Sequence, residues 1–159
     1  MFHTTSYQGT KEENYKLVIK QLEALIEDEP NRIANLSNAS ALLNQFLDTI
    51  NWVGFYLVEH NQLVLGPFQG LPACVRIPFG KGVCGTAIAE RRIVRVEDVN
   101  QFPGHIACDA ASQSEIVVPI IKNEELIGVL DIDSPITNRF DEIDESQLGK
   151  FVEVLAKYL

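Results

Sequence analysis

The 159-residue chain predicts an α+β domain: a six-stranded, mostly antiparallel sheet with an N-terminal helix pair and a C-terminal helix packed on it. Three observations carry this. Apolar residues recur at helical spacing up to position 48 and again near the C-terminus, whereas the stretch between them alternates with a period of two. The intervening runs are short, rich in Val, Ile and aromatic residues, and punctuated by Gly, Pro and Asn. The composition, 46% hydrophobic and 22% charged, is that of one globular domain, which at this length buries roughly 70% of its unfolded surface.

Residues 1 to 9 are polar and aperiodic and read as an arm. Thr10 with Glu13 forms a capping-box pattern, and Tyr15, Val18, Ile19, Leu22, Leu25 and Ile26 give the stripe of a helix that ends before Pro30. A second helix fits 31 to 48, with Asn31 as N-cap and Ile33, Leu36, Leu43, Phe46 and Leu47 on its apolar face. WVGFYLV from Trp52 and LVLGPF after His60-Asn61 form a hairpin. CVRIPF at 74 to 79 is a third strand, GKGVCGTAIAE at 80 to 90 a Gly-rich turn feeding a short helix, and IVRVED at 93 to 98 a fourth strand. A loop of about sixteen residues follows, Val99 to Ser114, and loops of that length are commonly functional. EIVVPII and LIGVLDI make a last hairpin, and a closing helix begins near Asp144, which with Gln147 repeats the capping-box pattern.

Charge excludes some functions. Thirteen Lys and Arg against 22 Asp and Glu leave a net −9, a field that repels nucleic acid and anionic lipid, so neither is expected as a partner. The N-terminus has no basic region followed by an apolar one, and no run approaches the roughly 18 apolar residues of a membrane span. A soluble cytoplasmic protein is expected. GKGVCGTA has neither GxxxxGK[ST] nor GxGxxG spacing, so nucleotide binding is not expected either.

Cys74, Cys84 and Cys108 are an odd number in a chain without a secretion signal, so free thiols are the default and a structural disulfide framework is not expected. Yet they cluster within 35 positions, and sulfur chemistry needs one thiolate to attack and a second thiol to resolve the product. Cys74 starts an apolar strand, where core packing is an equal alternative. Cys84 falls in the first turn of the short helix, whose dipole favours a thiolate, and so qualifies as a nucleophile. Cys108 lies in the polar segment HIACDAASQSE, where core burial explains it least, although Asp109 beside it opposes a very low pKa. Gaps of nine and 23 residues between the cysteines contain no C-x-x-C, so no metal site is expected.

In LIGVLDIDS the period of two puts Val129, Asp131 and Asp133 on one strand face, the two acids about 6.6 Å apart. Such a pair shares a cation, faces water or keeps a proton; it is either a strand end emerging into solvent or a seat for an ammonium group. Trp52 and Tyr56 share a face of the first strand, with Gly54 between them expected to leave an open slot. They serve either the core or a ligand with an apolar or sulfur-bearing end. Glu115 opens an otherwise apolar strand; it is either solvated or, if buried, a proton donor.

The segments NWVGFYL (51 to 57), GPFQGLPACVRIPFGKGVCGTA (66 to 87), HIACDAASQSEIVVPI (105 to 120) and GVLDIDSP (128 to 135) resemble a GAF domain and, within that superfamily, the free methionine-R-sulfoxide reductases. The resemblance spans most of the chain, and the three cysteines make it specific. It implies reduction of free methionine (R)-sulfoxide to methionine without a cofactor, with electrons returned by thioredoxin, and by family analogy a homodimer. It further implies Cys108 as nucleophile, Cys74 as resolving thiol and Cys84 as a second relay thiol, in place of the attacking role that the helix dipole gives Cys84. By the same resemblance Trp52 and Tyr56 hold the S-methyl end, Glu115 protonates the sulfoxide oxygen, and Asp131 and Asp133 hold the ammonium. The rival expectation is a non-catalytic GAF module that binds a small ligand or senses redox state through its thiols.

Overall fold

The structure, a computed structural model, describes residues 2–3 and 6–159. Part of the arm expected at 1 to 9 therefore lies outside the described residues; within it, the Tyr7 ring meets Phe46 edge-on at 4.8 Å and its hydroxyl donates to Gln21. The chain then runs through α1 (Lys11–Ile26), α2 (Arg32–Phe46), β1 (Trp52–Glu59), β2 (Gln62–Gly70), β3 (Arg76–Pro78), α3 (Gly82–Glu90), β4 (Val94–Val96), β5 (Ser114–Lys122), β6 (Glu125–Ser134) and α4 (Glu142–Ala156). The six strands form one sheet in the order β3-β2-β1-β6-β5-β4, antiparallel at every pairing among the described residues.

Alternation along the three central strands divides the molecule. Val53, Phe55, Ile116, Val118, Leu130 and Ile132 point to one face, where they meet α1, α2 and α4 in the main core. Trp52, Tyr56, Val117 and Val129 point to the other, where α3 and the long loops cover them. Two tight turns hold the hairpins: His60 and Asn61, then Asn123 and Glu124, all with positive φ, the geometry of two-residue hairpin loops. Thr10 and Asn31 cap their helices as expected, accepting from the amides of Glu13 and Ala34.

Four local expectations are corrected. The cap of α4 is Asp141, three residues before Asp144; the capping box joins Asp141 to Asp144. Asp144 is instead a buried acceptor for Tyr15 (2.5 Å) and Lys11 (2.7 Å), tying α1 to α4. Ile33, assigned to the apolar face of α2, is 56% exposed, because it lies in the first turn where the helix has not yet reached the core. Only Arg76–Pro78 of CVRIPF pairs as a strand, which leaves Cys74 in the loop before it. No slot opens at Gly54: a Cβ there would stand 2.2 Å from the Cβ of Phe68, since β2 crosses directly over it at a bulge.

Candidate functional site

Antiparallel register brings the sequence-distant acids together. β6 lies between β1 and β5, so Asp133 is paired with both Trp52 and Glu115, and Asp131 with both Gly54 and Val117. The period of two keeps Trp52, Tyr56, Glu115, Asp131 and Asp133 on the face opposite the main core. They line a cleft of about 520 Å³, open mouth included, between the sheet, α3 and two loops.

Two aromatic residues shape one side. Trp52 stacks on Tyr56 at 5.8 Å and on Phe68 at 5.1 Å. Each also fixes the neighbouring loop: the Trp52 indole donates to the Leu71 carbonyl (3.1 Å) and the Tyr56 hydroxyl to the Cys74 carbonyl (2.9 Å). Both aromatics are therefore buried and yet still line the cleft, so core and ligand wall are not alternatives here.

The second loop carries Cys108. Gly82, at φ +64°, receives the Ile106 side chain where a Cβ would come within 3.1 Å of it, so the loop rests on the start of α3. Asn51, just before β1, donates from Nδ2 to Asp109 (3.0 Å) and Ser112 (3.1 Å), which clamps the segment after Cys108 to the sheet. Cys108 is bonded to Cys74, their Cα atoms 5.5 Å apart. The default of three free thiols thus holds for Cys84 alone.

Cys84 lies in the first turn of α3, as expected, but its environment is not the one the helix dipole implied. It is buried, with Sγ 4.0 Å from Glu115 Oε2, and burial followed by the charges of Asp131 and Glu115 pushes its thiol well up. This corrects its reading as a thiolate nucleophile: the dipole is outweighed by desolvation and by neighbouring acids that no local sequence pattern reveals.

Glu115 and Asp131 are each 6% exposed, so the solvated reading falls for Glu115 and for Asp131, while Asp133 is half-buried. Burial, then the Asp131 and Asp133 charges, holds the Glu115 carboxyl well above the usual range; burial also raises both aspartates, Asp133 further through the Asp131 charge. Burial and mutual repulsion push all three carboxyls up, Glu115 through the charges of both aspartates, so the cluster as a whole favours holding a proton. His105 Nε2 stands 4.0 Å from Glu115 Oε1; burial lowers the imidazole pKa, so the two meet as neutral groups. Asp131 Oδ1 is buried with no hydrogen-bond partner among the described residues. A buried acceptor without a donor is costly, and a cationic ligand resolves it.

Sequence reasoning missed Asn51 as a clamp and His105 as a neighbour of Glu115. Asn51 acts on residues 58 and 61 positions away, which no local spacing reports.

Comparison with known proteins agrees with this geometry. The GAF domain family model matches residues 31–159. The chain is 54% identical over 149 residues to a free methionine-R-sulfoxide reductase of Escherichia coli, covering 94% of this chain and 90% of that protein. It is similar to fRMsr of Staphylococcus aureus in its reduced form, with 62% identity, a TM-score of 0.90 and coverage of 98% and 99%. It is also similar to the free methionine-R-sulfoxide reductase of Neisseria meningitidis in complex with its substrate, with 45% identity, a TM-score of 0.93 and coverage of 99% and 95%.

Proposed function

The chain belongs to the GAF family and, within it, to the free methionine-R-sulfoxide reductases, and from that premise we propose that it reduces free methionine (R)-sulfoxide at the cleft described. The observation that carries the reading is the Cys74–Cys108 disulfide beside a cleft lined by Glu115, Asp131 and Asp133.

In the reduced enzyme the Cys108 thiolate attacks the sulfoxide sulfur while Glu115 gives its proton to the departing oxygen, so charge does not build on it. The protonated oxygen passes as hydroxyl to the Cys108 sulfur, methionine leaves with its own sulfur reduced by two electrons, and Cys108 becomes a sulfenic acid. Cys74 attacks the Cys108 sulfur, water departs and the disulfide forms. An external dithiol, thioredoxin in this reading, returns two electrons; Cys84 serves as a further relay thiol. Trp52 and Tyr56 receive the S-methyl end. Asp131 and Asp133 receive the ammonium, whose charge offsets the burial of their own. Methionine sulfoxide within a peptide lacks that ammonium and leaves the acids unpaired, so the enzyme rejects it. The chain works as one domain from 1 to 159 and, by family analogy, as a homodimer. The dithiol cycle suits the reducing cytoplasm; among the described residues no helix is long and apolar enough to cross a membrane.

Methionine release from the free (R)-sulfoxide, with dithiothreitol or thioredoxin, tests the reading. Wild type is expected to turn over and Cys108→Ser to be inactive. Cys74→Ser is expected to release about one equivalent and stop with thioredoxin, since the sulfenic acid has no resolving partner. Turnover that survives in Cys108→Ser moves the attack to Cys84, and no turnover in wild type favours a ligand-binding or redox-sensing module.

A further inference from the structure

We propose that the inner end of this cleft is also a binding site for a borderline-soft divalent cation, Zn²⁺ or Cd²⁺, held by Cys84 Sγ, Glu115 and Asp131. The ligating atoms of the three lie within 4.8 Å of one another, each residue is buried, and each comes from a different element, α3, β5 and β6. That separation is why a search for local chelating spacings finds no metal site in the sequence.

A further feature points to a cation: Asp131 Oδ1 is buried with no hydrogen-bond partner among the described residues, an acceptor that a cation would satisfy. The geometry is close to what zinc requires. Zn–S and Zn–O bonds of about 2.3 and 2.0 Å at a tetrahedral angle place sulfur and oxygen about 3.5 Å apart. Cys84 Sγ and Glu115 Oε2 are at 4.0 Å, which a small side-chain rotation closes. A thiolate among the donors favours zinc or cadmium over magnesium and calcium. On binding, the Cys84 thiol proton and any proton held by Glu115 or Asp131 pass to solvent, and no electrons are exchanged.

The consequence is inhibition. The ion occupies the carboxylates proposed for the amino-acid ammonium, so ion and amino acid exclude one another. The proposal itself needs no turnover and stands apart from the reductase reading.

The disulfide form of the full chain isolates the test, because Cys84 is then its one free thiol. Titration with Cd²⁺ is expected to raise the ultraviolet thiolate-to-cadmium charge-transfer band, saturating at about one ion per chain, with Zn²⁺ displacing it. Cys84→Ser is expected to abolish the band, and Asp131→Asn to weaken Cd²⁺ roughly tenfold or more. Glu115→Gln provides the same check should Asp131→Asn fail to fold. Free methionine is expected to shift the Cd²⁺ midpoint upward. Absence of the band in the wild type, or a midpoint unmoved by both carboxylate variants, overturns the proposal.

Discussion

Glu115 stands at the start of an apolar strand and could have been a solvated entry residue; instead its burial, then the two aspartates of β6, push its carboxyl well above the usual range. Glu115→Gln removes that proton while keeping shape, so kcat is expected to fall by about 10²- to 10⁴-fold with KM little changed. Steady-state kinetics reads the split. Activity that depends on protonated Glu115 also declines as pH rises through its raised pKa, and that limb should vanish in Glu115→Gln. Asp131→Asn and Asp133→Asn act differently: each removes a charge-assisted contact of about 1.5–3 kcal/mol, so KM is expected to rise roughly ten- to a hundredfold. The contrast between Cys84 and Cys108 shows what residue-level reading can and cannot see. Cys108 stands out in the sequence because its polar loop makes core packing the weakest explanation, and the structure bonds it to Cys74. Cys84 was misread because the helix dipole is local information, whereas the carboxylates that oppose it arrive from β5 and β6.

At the scale of elements, α3 is placed by close backbone approach. A Cβ on Gly85 would stand 2.5 Å from the Pro78 carbonyl oxygen, so α3 packs tightly on the end of β3. Gly85→Ala must push the helix outward. It is expected to cost about 1–3 kcal/mol in chemical denaturation, and to displace Cys84 from the cleft. The hairpins and the shared faces of β1 and β6 were readable from alternation, because a strand has only two faces and one is apolar. The start of α4 was not: Asp141 and Asp144 both head plausible boxes. The choice is made by Tyr15 and Lys11, which reach Asp144 from α1. Cys74 lost its strand for a similar reason, since the Tyr56 hydroxyl holds its carbonyl in the loop.

For the whole molecule, burying three acids on one sheet face makes stability depend on pH. Their folded pKa values lie above the unfolded ones, so the folded state binds protons more tightly. Their contribution is complete below the unfolded carboxylate range, at about pH 4, and is lost as pH rises through the folded values. The ligand-free protein is therefore expected to melt at lower temperature near neutral pH than at mildly acidic pH, and Asp131→Asn to flatten that slope. Asp141 works the other way: burial opposes it, but the Asp144 amide and Lys11 hold it down to about 2, so its contribution disappears as pH falls toward that value. The division of the central strands into two faces could be anticipated from periodicity alone. The closure of Asn51 onto the Cys108 loop could not, because it joins positions 58 residues apart.

Recognition of a free amino acid is tested most directly by comparing kcat/KM for free methionine (R)-sulfoxide with that for its N-acetyl derivative, which keeps the sulfoxide and loses the ammonium. The buried Asp131 and the half-buried Asp133 require the acetylated compound to be poorer by about 10²-fold or more. Equal kcat/KM for the two would contradict an ammonium seat at these carboxylates, and with it the reading of this cleft as a site for the free amino acid.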